Sequence, residues 1–258
     1  MSKNLIHSTA IIGNKVELGS NVKIGPYSVI ENNVQIGNNS NIKNFVTICK
    51  NTIIGEDCEI FHNCSIGEIP QDLKFNGEKT KTIIGNRNKI RESVTINRGT
   101  EALGETRVGD DCLLMAYSHV GHDSVIGNNV VMANMATLGG HVILNDWVSL
   151  GGGVLVHQFC QLGTQVFIGG GFRVVQDVPP YILAAKEPLK YQGINSIGLK
   201  RRGYDQKTRK DIKEIYQIVF GANMNISQAI IEIKNKFKDS NHRNMILNFI
   251  ENSKRGII

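Results

Sequence analysis

Rings are scarce in this sequence. Trp, Tyr and Phe together make up 6% of its 258 residues, with a single Trp, so aliphatic side chains must do most of the packing. Proline is also rare, at five residues, which argues against a Pro-rich linker or an extended disordered tail. The five cysteines are an odd number in a mid-sized chain and do not suggest a disulfide framework. A reducing, cytoplasmic setting is the expectation. No run of 18 apolar residues exists, so no membrane-spanning helix is expected. The opening MSKNLIHSTA lacks an apolar stretch, so no secretory signal is expected either.

Gly and Asn, by contrast, are abundant, at 27 residues each. They enter the left-handed backbone region most easily, so the chain should contain many tight corners. Charge is lopsided. Residues 186–258 carry 15 Lys/Arg against 7 Asp/Glu, while residues 1–185 carry 14 against 16. The basic end suits either an acidic partner or a solvated helical face.

A six-residue repeat dominates. Of the 29 multiples of six from 6 to 174, 26 are Ile, Leu, Val or Met; the exceptions are Asp72, Glu78 and Ala102. Gly often follows the aliphatic, as at Gly13, Gly37, Gly55, Gly85, Gly109 and Gly127. A small or β-branched residue often stands four positions after it, as at Val22, Val34, Val46, Val130 and Val148. A period of 3.6 cannot hold such a register. Short strands turned every six residues can, and that is the signature of a hexapeptide parallel β-helix. Three hexads close a triangular coil of 18 residues, and coils stack about 4.8 Å apart. About nine to ten coils are expected over residues 1–185, a prism roughly 45 Å long at that spacing. Cys58, Cys64, Cys112 and Cys160 occupy the small inward phase and read as core fillers; Cys49 falls in a corner phase.

Two charged stretches interrupt the repeat near 68–81 and 97–107, yet the count resumes in register after each. Each should loop out and return. Loops on rigid scaffolds are where binding residues concentrate. After Val174 the repeat ends and Pro179-Pro180 closes it. Residues 186–258 then read as an α-helical domain. One helix runs from Asp205 to Gly221 through Ile212, Ile215, Tyr216 and Val219; others are marked by Ile226, Ile230 and Ile233 and by Met245, Ile246, Phe249 and Ile250.

Residues 18 apart should be neighbours on adjacent coils. That rule sets Gly140 beside His122, His141 beside Asp123, and Gln158 one coil further on. A His next to a carboxylate with bare glycine backbone nearby has the parts of a general base with an oxyanion site. Scattered surface polarity is the competing interpretation. A single prism face is flat, so a pocket is expected between chains, and triangular prisms pack naturally as a closed trimer.

Several segments sharpen this picture: IGEIPQDLKF (66–75), IRESVTINRGT (90–100), SHVGHD (118–123), VHQF (156–159), QDVPPY (176–181) and GINSIGLKRRG (193–203). With them the chain resembles the bacterial UDP-N-acetylglucosamine O-acyltransferases over essentially its whole length. The resemblance implies a left-handed β-helix followed by a smaller α-helical domain. It implies transfer of a long-chain (R)-3-hydroxyacyl group from acyl carrier protein to the 3-hydroxyl of UDP-N-acetylglucosamine, the first step of lipid A biosynthesis. It also implies a homotrimer with active sites between subunits. No cofactor, metal or covalent nucleophile is implied, and no nucleic-acid partner. By the same resemblance His122 is the base, Asp123 orients it, and the Gly140 N–H meets the oxyanion. Gln71, Asp72, Lys74, His119, His141, His157, Gln158, Asn195, Arg201 and Arg202 are implied as substrate contacts. Gly170 matches the position that measures acyl length. Ile197 stands where the family often has Glu. The basic end acquires a candidate partner in the acidic carrier, through Lys186, Lys190, Arg201, Arg202, Lys207, Arg209 and Lys210.

Other readings stay open at this level. The acceptor could be a 3-amino analogue of the sugar. A related N-acyltransferase normally carries an extra N-terminal domain, for which a repeat starting at Ile6 leaves no room. A zinc-dependent hexapeptide-repeat carbonic anhydrase would use three His, of which only His119 and His122 are close in sequence. A structural solenoid would favour one regular Thr-rich face.

Overall fold

The computed structural model describes residues 4–221 and 224–258. Strands mostly two residues long recur every six residues from Leu5–Ile6 onward. They form three parallel sheets along a triangular prism. The first sheet starts at Leu5–Ile6 and climbs through Ile24, Ile42 and Ile60 to Phe167–Ile168. The second sheet climbs from Ile11–Ile12 to Arg173–Val174, and the third from Glu17–Leu18 to Gln161–Leu162. Coils align aliphatic on aliphatic: Ile24 pairs with Ile42, Val120 with Leu138, and Ile126 with Leu144. Ile36, Ile66, Ile96, Leu138 and Ile168 are at most 2% exposed. Burying one such side chain is worth about 1.5–3 kcal/mol, so the repeat alone supplies the prism's core.

The corners explain the Asn and Gly content. Asn21, Asn33, Asn39, Asn51 and Asn129 all sit at φ near 60°, where Asn is tolerated better than most residues. Their side chains run in ladders up the prism: Asn21 donates to Asn39 Oδ1 at 3.1 Å and Asn39 to Asp57 Oδ1 at 3.0 Å. Gly55 illustrates the close approach of neighbouring coils, since a Cβ there would lie 2.7 Å from the Gly85 backbone.

Both interruptions leave the prism and return to it. Ser65–Glu68 leads into the first excursion, and the chain returns at Lys81–Ile84, where Ile84 pairs with Ile54. The second leaves after Thr95–Asn97 and returns at Glu105–Val108, where Val108 pairs with Ile84. All five cysteines are free and buried. Burial pushes the Cys58 and Cys160 thiols up to about 11 and those of Cys64 and Cys112 to about 12. Cys49, read as a corner residue, is buried too; desolvation and the nearby Glu68 carboxylate push it up to about 12.

Past Val174 the first sheet gains a parallel strand, Ile182–Ala185, and an antiparallel one, Lys190–Ile194. Four helices follow: α1 (Ser196–Arg201), α2 (Gln206–Phe220), α3 (Ile226–Lys236) and α4 (Asn241–Asn252). Asp205, Asn225 and Ser240 cap α2, α3 and α4 with their side chains. Helices α2 to α4 match the helical periods of the sequence. The Lys190–Ile194 strand and the six-residue α1 are too short for either period to reveal. Tyr216 of α2, fully buried, donates its hydroxyl to the Pro180 carbonyl at 2.6 Å and ties the helices to the prism cap.

Candidate active site

The strand His119–Val120 carries the second sheet into a corner at 121–124, before the third sheet resumes at Val125–Ile126. Asp123 takes the left-handed conformation there, at φ 57°. This turns its side chain back toward His122, and His122 Nδ1 and Asp123 Oδ2 lie 2.7 Å apart. The Asp123 side chain is fully buried, while His122 keeps 14% of its surface exposed. The returning second loop supplies the other donors. Thr100 N–H donates to Oδ1 at 2.9 Å, Thr100 Oγ1 to Oδ2 at 2.7 Å, and Leu103 N–H to Oδ1 at 3.2 Å. Burial alone would raise the Asp123 pKa. The hydrogen bonds from His122 and Thr100 outweigh it and hold the carboxyl below its ordinary value. An ionised Asp123 makes Nδ1 the protonated nitrogen of His122, which leaves Nε2 with a free lone pair.

The next coil places Gly140 against that nitrogen. A Cβ at position 140 would lie 2.6 Å from His122 Cε1 and 2.7 Å from Nε2, so any side chain here would displace the imidazole. Among the described residues the Gly140 N–H donates to no acceptor. His141, at φ 61°, sits over Asp123 with Nε2 3.7 Å from Oδ2, and its ring meets that of His122 edge to face at 5.1 Å. Burial pushes His141 below the ordinary imidazole value, against the pull of the Asp123 and Asp72 carboxylates. His119 is half-buried beside Thr95, with Nδ1 2.7 Å from Oγ1; burial and the nearby His122 also push it down. His122, Asp123 and His141 bring possible ligand atoms within 4.8 Å of one another. The Asp123 oxygens already accept four hydrogen bonds, one of them from His122, so this donor set is poorly suited to a metal ion.

A second cluster lies at the corner between the third and first sheets. Trp147 stands there, with the Arg202 guanidinium 4.6 Å from its ring. A cleft of about 820 Å³ is lined by Trp147, Phe167, Leu183, Asn195, Ile197, Arg201 and Arg202, among others.

Against known proteins, residues 27–62 and 105–140 match the bacterial transferase hexapeptide model. Residues 177–258 match the second domain of UDP-N-acetylglucosamine O-acyltransferase. An acyl-[acyl-carrier-protein]–UDP-N-acetylglucosamine O-acyltransferase from Trichlorobacter lovleyi is 54% identical over 256 residues, covering 98% of each chain. The chain belongs to the UDP-N-acetylglucosamine O-acyltransferase family. Solved family structures agree. That of LpxA, the UDP-N-acetylglucosamine acyltransferase of Bacteroides fragilis, is 42% identical, covers 98% of this chain and all of its own, and superposes with a TM-score of 0.96. The Francisella novicida enzyme is 37% identical over 98% of this chain and 94% of its own, with a TM-score of 0.95.

The remaining residues implied by the family motifs fall into place unevenly. Gln158 lies one coil beyond Gly140, and a Cβ at Gly139 would come within 2.8 Å of its backbone nitrogen. His157 is exposed, with Nδ1 3.1 Å from the Gln158 carbonyl oxygen. Gln71, Asp72 and Lys74 lie on the first loop, where Asp72 Oδ1 accepts the Lys74 N–H at 2.9 Å. Asn195 also makes local bonds: it caps α1 by accepting the Gly198 N–H and donates to the Gln165 carbonyl at 2.9 Å. Arg202 Nη1 donates to Gln165 Oε1 at 2.8 Å, whereas Arg201 is exposed at the cleft. Gly170 is at the third corner, between the first and second sheets, where a Cβ would lie 3.1 Å from the Gly152 carbonyl oxygen. Thr100, Trp147, Phe159 and Gln165 were not singled out from the sequence. The 18-residue rule could have found Phe159, which is one coil from His141. Nothing in the repeat points to Thr100.

Proposed function

We propose that the chain transfers a long-chain (R)-3-hydroxyacyl group from acyl carrier protein to the 3-hydroxyl of UDP-N-acetylglucosamine, opening lipid A biosynthesis. The observation that carries this reading is the Asp123-oriented His122, with Nε2 packed against Gly140, whose N–H has no acceptor among the described residues. His122 Nε2 takes the proton of the sugar 3-hydroxyl as that oxygen attacks the thioester carbonyl. The new C–O bond forms and the carbonyl oxygen becomes an oxyanion, which the Gly140 N–H receives. As the tetrahedral adduct collapses, the C–S bond breaks and the imidazolium returns its proton to the departing thiolate. Every atom and charge is then accounted for without a metal or a covalent intermediate.

The three groups of residues sit at three different corners of one prism: His122 between the second and third sheets, Arg202 with Trp147 between the third and first, and Gly170 between the first and second. One substrate does not reach around a single prism. A homotrimer, whose neighbouring corners face each other, joins them in one cleft. The nucleotide then meets Arg201, Arg202 and Asn195 of one subunit. The sugar meets His122, with Asp72, Lys74, Gln71, His119, His141, His157 and Gln158, of the next, and the acyl chain extends toward Gly170. Both substrates are cytoplasmic in kind, and no helix among the described residues is long and apolar enough to cross a membrane. Exposed Lys186, Lys190, Lys207 and Lys210, with half-buried Arg209 among them, supply a basic surface for the acidic carrier, whose apparent affinity should weaken with salt.

The test is direct. UDP-N-acetylglucosamine and its 3-amino analogue are offered with a series of 3-hydroxyacyl carrier proteins to the wild type and to His122→Ala. Loss of roughly 10²–10⁴-fold is expected of the variant. A variant as active as wild type would remove His122 from the mechanism, and a preference for the amino sugar would reassign the acceptor.

A further inference from the structure

The second loop contributes more to the site than a neutral excursion would. Thr100 holds Asp123 at both oxygens, with its backbone N–H on Oδ1 at 2.9 Å and its hydroxyl on Oδ2 at 2.7 Å. Oδ2 is also the oxygen paired with His122 Nδ1. The hydroxyl is itself oriented: it accepts the Ala102 N–H at 3.3 Å, so its own proton is free to point at Asp123. The loop is closed on itself by Gly104 N–H donating to the Thr100 carbonyl at 2.8 Å. Its return strand places Thr106 Oγ1 to accept the Asp123 N–H at 2.8 Å. Thr100 is 9% exposed and Asp123 2%, so water does not readily substitute for these donors.

We infer that Thr100 is a positioning residue for the acyl transfer, the third member of a chain Thr100–Asp123–His122. It fixes the carboxylate, and the carboxylate fixes the imidazole. This rests on the reading of His122 as the base. The hydroxyl also draws charge from Oδ2. Without it, more negative charge faces Nδ1, and the protonated imidazole is favoured. The other groups around the ring are His119, His141 and, through His141, Asp72; none of them bonds to Thr100, so they are common to every variant below.

Thr100→Val keeps the shape and the backbone donor but removes the hydroxyl. The expected result is a kcat lower by roughly tenfold or more, with the KM for UDP-N-acetylglucosamine within about threefold of wild type. The acidic limb of the rate profile should move to higher pH. Thr100→Ser, which keeps the hydroxyl, should restore most of the rate. In an Asp123→Asn background, Thr100→Val should cost less than about threefold more, because its route of action is already cut. A merely structural role would give the same loss in either background and leave the pH limb unmoved. That result overturns the inference, as does a Thr100→Val enzyme with wild-type kcat. If the valine variant does not fold, nitrogen NMR of labelled His122 in Thr100→Ala decides: a larger share of His122 protonated at both nitrogens than in wild type at the same pH supports the chain, and an unchanged share overturns it. His122→Ala, run in parallel, separates the two claims. If it stays active, the base reading fails; if it is inactive while Thr100→Val is normal, only the role of Thr100 fails.

Discussion

The ring of His141 lies flat on that of Phe159, centroids 4.5 Å apart and planes within 8°. The pair is one coil apart at the same corner, so the stack is a consequence of the 18-residue register. It covers one face of an imidazole whose edge meets His122. Such a stack is worth about 0.5–1.5 kcal/mol. Phe159→Ala should therefore lower turnover by roughly 2- to 10-fold. It should also raise the His141 pKa toward its ordinary value, because burial is the main cause of its depression. Histidine NMR titration reads the second effect; an unmoved His141 would show that Phe159 does not cover it.

Gly140→Ala is expected to separate activity from stability. Gly140 has no left-handed φ that would forbid alanine, but its Cβ would occupy the space of His122 Cε1 and Nε2. The partly exposed imidazole can swing aside, so thermal stability should change by no more than about 1 kcal/mol. Turnover should fall by roughly 10²-fold or more, since the base and the oxyanion donor lose their alignment. Equal losses of melting temperature and activity would count against this geometry.

The depressed histidines predict a pH response of known sign. His119 is pushed below the ordinary imidazole value by burial first and by nearby His122 second. The unfolded chain accepts a proton below about pH 6.5 that the folded chain refuses. Its contribution to stability is thus complete above that value and is lost as pH falls through it toward the folded pKa. Melting temperature followed from about pH 7.5 down to about pH 5.5 should drop more for wild type than for His119→Asn. Parallel curves would mean that burial does not hold His119 neutral.

The sequence carried these features to different degrees, for physical reasons. Ile36, Ile66 and Ile96 announce the prism because every coil buries its aliphatic in the same way. The same register brought His122 to Gly140 and Asp123 to His141. Thr100 was hidden because its bond to Asp123 spans 23 residues across a looped-out segment, and a repeat says nothing about a loop's path. The family motif implies Arg202 as a substrate contact but says nothing of its neighbours within the chain. The structure gives it a prior partner, Gln165, because α1 folds back onto the Trp147 corner, a docking that helical periodicity does not encode.

That partnership makes the shared site testable by mixing. Gln165 holds Arg202 over Trp147 at one corner, while His122 works at another. His122→Ala and Arg202→Ala should each be nearly inactive, the second mainly through a raised KM for the sugar nucleotide, since Arg recognises phosphate through paired donors. When equal amounts are unfolded together and reassembled, trimers should form at random. If His122 of one subunit serves the nucleotide bound by Arg202 of the next, about a quarter of the interfaces receive both intact residues. Activity should then recover to about that fraction of wild type. If one chain supplied both residues, no mixed assembly could contain an intact site. The mixture would stay as inactive as its parents, and a site between subunits would be ruled out.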